Sequence, residues 1–259
     1  GEAGSLAAAR KLADYLVARW TAEPQKAPGN HSITVHMAVT GIENAMLALH
    51  RQTKDARYLD FVRDFRKTRE WEARIVTGRF GPIEGHAYAH LCRCVAQLRL
   101  HRLEPDERLL KPTFDVIRFL LAGDGLTLPG EVGDHECWHD TQEGTINLGE
   151  TCATAYLLRW FDEGLRMDAH PALGDLMERT IYNGLFGAQS PDGRRIRYYT
   201  PFEGPRDYFK GDTYCCPCNF RRILSELPLM VFYRAKDGIA VNLYTAAEAT
   251  VELGTGKPV

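Results

Sequence analysis

Apolar residues recur at helical spacing in segment after segment of this chain, and the pattern predicts helices over residues 6–22, 35–53, 56–73, 85–103, 106–121, 150–163, 173–188 and 219–233. The connections carry suitable punctuation, with Pro105 and Pro171 ahead of helices and Gly123-Asp124-Gly125 behind one. Helix pairs joined by short turns, without a fixed repeat, predict a mainly α toroid or solenoid rather than a four-helix bundle. Between Leu126 and Leu148 the periodicity gives way to Gly, Asp, His and Glu. A loop of that length inside a helical domain usually carries function.

The tail changes period. Residues 238–244 and 249–253 alternate apolar and polar positions and are rich in β-branched and aromatic side chains, which predicts two strands. Two strands alone are marginal in water. The expected organisation is a helical domain over residues 1–236 and the opening of a β domain over 237–259, with the natural chain continuing beyond it.

Composition narrows the class. With 259 residues, 44% of them hydrophobic, the chain can bury a core without staples. Its 32 Lys plus Arg against 34 Asp plus Glu leave a net charge of −2, and no basic excess to hold nucleic acid. No apolar run approaches the roughly 20 residues that span a bilayer, the longest being residues 227–233, so no membrane partner is expected. The amino-terminal Gly-Glu-Ala-Gly-Ser has no basic start and no apolar signal core, which leaves a bacterial cytoplasm and periplasm both open.

Seven cysteines are present, an odd and clustered set: Cys92, Cys94, Cys137, Cys152, Cys215, Cys216 and Cys218. That distribution suits thiol or metal chemistry better than a disulfide framework, while Cys92 and Cys94 read as buried helix residues. Two short segments stand out, Gly149-Glu150-Thr151-Cys152-Ala153 and Tyr214-Cys215-Cys216-Pro217-Cys218-Asn219, each leading into a predicted helix. Free N–H groups and the helix dipole stabilise thiolate at such a position. Pro217 suits the first helical position, which would make Cys216 the cap and leave Cys215 in extended backbone. Three thiols and a carboxylate drawn from both segments suit a tetrahedral zinc ion better than magnesium or calcium. A reactive or merely buried cysteine pair, or a strained vicinal disulfide between Cys215 and Cys216, are the alternatives.

The same residues resemble glycoside hydrolase family 127, the β-L-arabinofuranosidase family. The likeness runs through Glu150-Thr151-Cys152-Ala153, Glu178-Arg179-Thr180-Ile181-Tyr182-Asn183-Gly184 and Cys215-Cys216-Pro217-Cys218-Asn219 with Arg222. Gly85-His86-Ala87 resembles a family helix start, and residues 237–244 resemble the family's passage into a β-sandwich. The resemblance implies an (α/α)6 barrel followed by β-sandwich material, and a retaining, exo-acting hydrolase that uses a zinc-bound cysteine. Carried over by position, the zinc ligands are Glu150, Cys152, Cys215 and Cys216, with Cys215 as nucleophile. Glu136, 14 positions before Glu150, is the matching acid/base, with Glu131 and Glu143 as rivals. His86, His135 and Tyr199 are the expected sugar contacts. Cys218 stands where the family usually has a second proline, and an early Gly-His helix start has no counterpart at Thr40-Gly41-Ile42-Glu43.

Retention needs a nucleophile on one face of the anomeric carbon and an acid on the other. The expected partner is a small sugar or oligosaccharide, with a homodimer left open. The competing class is a non-catalytic carbohydrate-binding or scaffold module with a structural zinc, and the discriminator is a free acid opposite the cysteines. Trp138, Tyr198, Tyr199, Tyr208 and Tyr214 are candidates to floor a sugar cleft.

Overall fold

A computed structural model describes residues 3–27, 40–78, 85–140, 142, 147–210, 214–236 and 238–252. The fold is mostly helical, with one two-stranded antiparallel sheet among the described residues. It divides into two compact units, Gly1–Gly125 with Cys137–Asp140, and Leu126–Glu136 with Thr141–Val259.

The first unit contains α1 (Ala3–Ala22), α2 (Ile42–Thr53), α3 (Ala56–Asp60), α4 (Ala87–Leu103) and α5 (Lys111–Ala122). Trp20, Met46, Leu47, Tyr58, Phe61, Val62, Leu100 and Leu109 form a buried cluster there. The helix expected over residues 35–53 is seen from Ile42, its first part lying outside the described residues. Lys54 ends it in the left-handed region (φ 63°), and Asp55 caps α3 by accepting from the Arg57 N–H at 3.0 Å.

The helix expected over residues 56–73 does not run through. After α3 the chain makes a π turn, Phe61–Phe65, and a 3-10 turn, Thr68–Glu70, with Lys67 at φ 50° between them. Tertiary hydrogen bonds override the helical period: Thr68 Oγ1 donates to the Val62 carbonyl, and Gln97 Nε2 donates to the Thr68 and Trp71 carbonyls. Trp138, a candidate for the sugar floor, is instead fully buried in this unit, edge-on to His90 and Phe119. Cys92 and Cys94 are buried in α4 as expected.

The second unit contains α6 (Thr151–Asp168), α7 (Pro171–Arg179), a π turn Thr180–Leu185 that runs into Phe186–Ala188, and α8 (Cys215–Glu226). Thr180 Oγ1 lies 2.8 Å from the Leu176 carbonyl and 2.6 Å from the Gly130 carbonyl, at the point where the regular ladder widens. The last predicted helix, residues 219–233, is corrected at both ends. It starts four residues earlier, at Cys215, and stops at Glu226; a 3-10 turn, Leu227–Met230, then leads into β1 (Phe232–Arg234). Pro228 in that turn offers no N–H to continue a helical ladder.

β1 pairs antiparallel with β2 (Ile239–Val241), in the register Phe232 to Val241 and Arg234 to Ile239. The first predicted strand is thus present in shortened form, with a partner the period-two pattern did not mark. Residues 249–252 form no strand, and Leu253 lies outside the described residues. The sheet is tied back to α6 by Tyr233, whose hydroxyl donates to Asp162 at 2.8 Å.

Candidate metal centre and facing acid

Two helix starts meet in the second unit. Glu150 is the N-cap residue of α6, with Cys152 in the first turn, and α8 begins on Cys215 and Cys216 themselves. Pro217 is therefore the third residue of α8, and Cys215 lies within the first turn rather than in extended backbone. A proline fits any of the first positions, because the N–H it lacks has no intrahelical partner there.

The ligand atoms of Glu150, Cys152, Cys215 and Cys216 all lie within 4.8 Å of one another, and Cys215 alone of the four is not fully buried. Cys152 Sγ is 3.3 Å from Cys216 Sγ, and Cys216 Sγ is 3.7 Å from Glu150 Oε1. Asn219, one turn into α8, donates from Nδ2 to Cys152 Sγ at 3.1 Å and accepts from Arg222 at 2.7 Å. This amide is a site residue that the sequence reading did not single out, although it stands inside the cysteine motif. Cys218 is half-buried on α8 and does not belong to the group of four.

Burial pushes the Glu150 carboxyl and the Cys152 and Cys216 thiols up, toward their neutral forms. Cys215 goes the other way. Hydrogen bonds from Cys152 and Cys216, with a further one from Tyr198, hold its thiol well below the usual range.

Glu136 faces this cluster. It and His135 occupy left-handed backbone, at φ 67° and 48°, a conformation that non-glycine residues adopt only where the surroundings impose it. The Tyr198 hydroxyl donates a short hydrogen bond to Glu136 Oε1 and also touches Cys215 Sγ at 3.6 Å. Tyr199 donates to the same carboxyl oxygen at 3.5 Å. One phenol thus bridges the acid and the sulfur. Tyr198 and Tyr199 also line a cavity of about 500 Å³ with Asn147 and Tyr208.

The remaining expected residues lie as follows. His135 is exposed, its Nδ1 2.8 Å from Asp134 Oδ1 and its Nε2 accepting from Asn147 at 2.6 Å. His86 belongs to the first unit, where it caps α4 by accepting from the Ala89 N–H at 3.4 Å. Glu143 lies outside the described residues.

Glu131 is fully buried behind the loop that leads to Glu150. It accepts hydrogen bonds from the hydroxyls of Thr200 and, at 3.5 Å, Thr154. Gly149 and Gly184 make room for it, since a Cβ at either would sit within 2.6 Å of its side chain. Burial raises its pKa to about 8, and the two threonine hydroxyls and Arg206 offset only part of that.

A carboxyl whose folded pKa exceeds its unfolded value stabilises the fold most below the unfolded pKa, near 4.5, and loses that contribution as pH rises through about 8. Glu131→Gln cannot ionise. Its stability relative to wild type should therefore rise by about a few kcal/mol between pH 5 and pH 8.5 in urea titrations. A constant difference across that range would show that Glu131 ionises normally in the folded protein.

Known proteins resemble this chain over most of its length. A non-reducing end beta-L-arabinofuranosidase of Bifidobacterium longum subsp. longum is 22% identical over 194 residues, covering 67% of this chain and 29% of that protein. The chain thus spans less than a third of the length of this curated relative. A solved GH127 beta-arabinofuranosidase superposes with a TM-score of 0.69 at 23% identity, over 82% of this chain and 36% of that one. Ara127N-Se, a GH127 beta-L-arabinofuranosidase from Geobacillus stearothermophilus T6, gives 0.67 at 20% identity, over 82% and 40%. The profile of the beta-L-arabinofuranosidase GH127 catalytic domain matches residues 1–229, and the chain belongs to that family.

Proposed function

We infer that the protein is a retaining glycoside hydrolase acting on β-L-arabinofuranosides, with Cys215 as nucleophile and Glu136 as acid/base. The observation that carries this reading is the Tyr198 hydroxyl, in contact with both the Glu136 carboxyl and the Cys215 sulfur. A purely structural metal site needs no acid held across from one of its ligands.

The donor set fits zinc. Three thiols and a carboxylate converge from two helix starts, and Glu150 Oε2 is buried without any hydrogen-bond partner, as expected of an oxygen that awaits a cation. Glu150, Cys152, Cys215 and Cys216 would hold the ion, which when bound keeps the thiols ionised at neutral pH.

The chain's own residues then divide the work. The Cys215 sulfur attacks the anomeric carbon while Glu136 passes its proton to the departing glycosidic oxygen. Tyr198 and Tyr199 hold the Glu136 carboxyl in place through its Oε1. In the second half Glu136 accepts a proton from water, whose oxygen displaces sulfur and restores the original configuration. The same reading takes residues 1–236 as part of an (α/α)6 barrel and 237–259 as the start of a β-sandwich.

Glu136→Gln tests the assignment. Hydrolysis of an alkyl β-L-arabinofuranoside should fall by about a hundredfold or more, and that of a dinitrophenyl arabinofuranoside by much less, because a good leaving group departs without protonation. Equal losses on both substrates would remove Glu136 from the acid/base role. Absence of wild-type hydrolysis together with retained arabinose binding would favour the carbohydrate-binding module.

A further inference from the structure

Three segments of the second unit meet at the Glu131 side chain, a buried acid that the reaction itself leaves unused. The first is its own loop, which runs on to Glu136 and is pinned by Thr127, whose hydroxyl accepts from the Glu131 N–H at 2.9 Å. The second is the start of α6, where the Thr154 hydroxyl reaches Glu131 Oε1 at 3.5 Å and Gly149, directly before Glu150, packs on the carboxyl. The third carries the tyrosines: Thr200, next to Tyr199, donates to the same Oε1 at 2.5 Å. One carboxyl oxygen thus collects a hydroxyl from each side of the site.

The segments are also stitched to one another. The Thr151 N–H donates to the Tyr198 carbonyl at 3.0 Å, the Thr200 N–H to the Leu148 carbonyl at 2.8 Å, and the Gly149 N–H to the Gly133 carbonyl at 3.0 Å. The residue at their meeting point is a costly choice. Glutamate is almost never fully buried unless paired, and the partners here are hydroxyls. Gly149 sits at φ 62°, and a Cβ there would come within 2.5 Å of the Glu131 carboxyl; one at Gly184 would come within 2.6 Å of its Cγ. Room for this acid takes two glycines. A side chain needed only to fill space would be apolar.

We propose that Glu131 is a positioning residue: its Oε1, hydrogen-bonded to Thr200 and Thr154, sets Tyr198, Tyr199 and the start of α6 against the loop that carries Glu136. The proposal rests on the glycosidase reading for the role of Glu136. Both tyrosines hold the Glu136 carboxyl through their hydroxyls, so a displaced Thr200 acts on the acid through them, and a displaced Thr154 acts on Glu150 through α6. A misplacement of about 1 Å in such groups costs up to about a hundredfold in rate.

Glu131→Met and Glu131→Gln, compared in saturating zinc, provide the test. Methionine fills similar space without a strong acceptor, whereas glutamine keeps the oxygen. Both should fold, because the Thr200 and Thr154 hydroxyls each have a second acceptor at 3.2 Å, the carbonyls of Gly149 and Glu150. In Glu131→Met, kcat on an alkyl β-L-arabinofuranoside should fall by about tenfold or more and kcat on the dinitrophenyl glycoside by about threefold or less, with KM nearly unchanged, because only the first leaving group needs a well-placed acid. Zinc affinity, measured by competition with a chelating dye, should fall by about tenfold, the loss expected when the support of a ligand goes. Glu131→Gln should stay within about threefold of wild type in all three measurements. Thr200→Val, which removes one hydroxyl and leaves Glu131 in place, should show the same contrast between substrates, and decides the matter should Glu131→Met not fold. Equal losses on both substrates, or none, leave Glu131 a structural acid and overturn the proposal. Glu131→Gln as impaired as Glu131→Met would make the proton essential rather than the oxygen, and overturns it too. Should the wild type hydrolyse neither substrate, the glycosidase reading falls and zinc affinity decides alone: a loss in Glu131→Met with none in Glu131→Gln upholds the positioning role, and equal affinities overturn it.

Discussion

Cys215→Ser should lower the hydrolysis of an aryl β-L-arabinofuranoside by about a thousandfold or more, while arabinose affinity changes by no more than about threefold. The substitution keeps the size of the side chain. It replaces a sulfur held ionised by Cys152, Cys216 and Tyr198 with a hydroxyl that stays protonated at neutral pH. Contacts to the sugar are untouched, because the change is one atom at the reacting centre, so the loss should appear in kcat rather than in binding. A slow fluorinated arabinofuranoside should leave a covalent sugar on the wild-type peptide bearing Cys215 and none on the variant. Full activity of Cys215→Ser would move the nucleophile to a carboxylate, with Glu150 the nearest one available.

Cys152→Ala should act on the metal and the fold together. Its sulfur is fully buried, 3.3 Å from Cys216 Sγ, and accepts the Asn219 amide at 3.1 Å. Removing it takes a ligand from the cluster and leaves a buried amide donor without its acceptor, which by itself costs about 1–3 kcal/mol. Loss of a partner that merely supports a ligand lowers metal affinity by about 10–100-fold, so loss of a ligand should exceed that. Wild-type protein dialysed against a chelator should melt lower and recover on addition of zinc; Cys152→Ala should start low and not recover. Stoichiometric zinc in the variant, with a wild-type melting temperature, would mean that the thiols do not hold the ion.

Much of this centre is legible along the chain because its parts are local. Glu150 and Cys152 stand two apart at a helix start, and Cys215 and Cys216 are adjacent at another, so each half of the candidate ligand set is a short string. Where the second helix begins was not legible. Pro217 is compatible with several first-turn positions, and in the folded chain Cys215 lies inside the helix, with Cys216 in contact with Glu150 and Cys152. The run over residues 227–233 shows the complementary failure. It is apolar throughout, so periodicity cannot distinguish helix from buried strand, and the pairing of Phe232–Arg234 with Ile239–Val241 decides the matter.

The sequence by itself determined the mainly helical character, the two short cysteine-bearing segments that lead into helices and the chemical class of the side chains they bring together. All of these follow from residue type and short spacing, which fix local geometry. Tertiary structure decided between Glu136, which the family resemblance favoured, and its rival Glu131. Glu136 meets Tyr198 across 62 residues of chain, and Tyr198 meets Cys215 across a further 17. Glu131, five residues from Glu136 and of the same type, is instead sealed behind Gly149 and Gly184 between threonine hydroxyls. A carboxyl group has no periodicity of its own, so its role depends on what the folded chain packs against it: burial between two threonine hydroxyls encloses Glu131 and raises its pKa, whereas a bridging phenol sets Glu136 against a thiol.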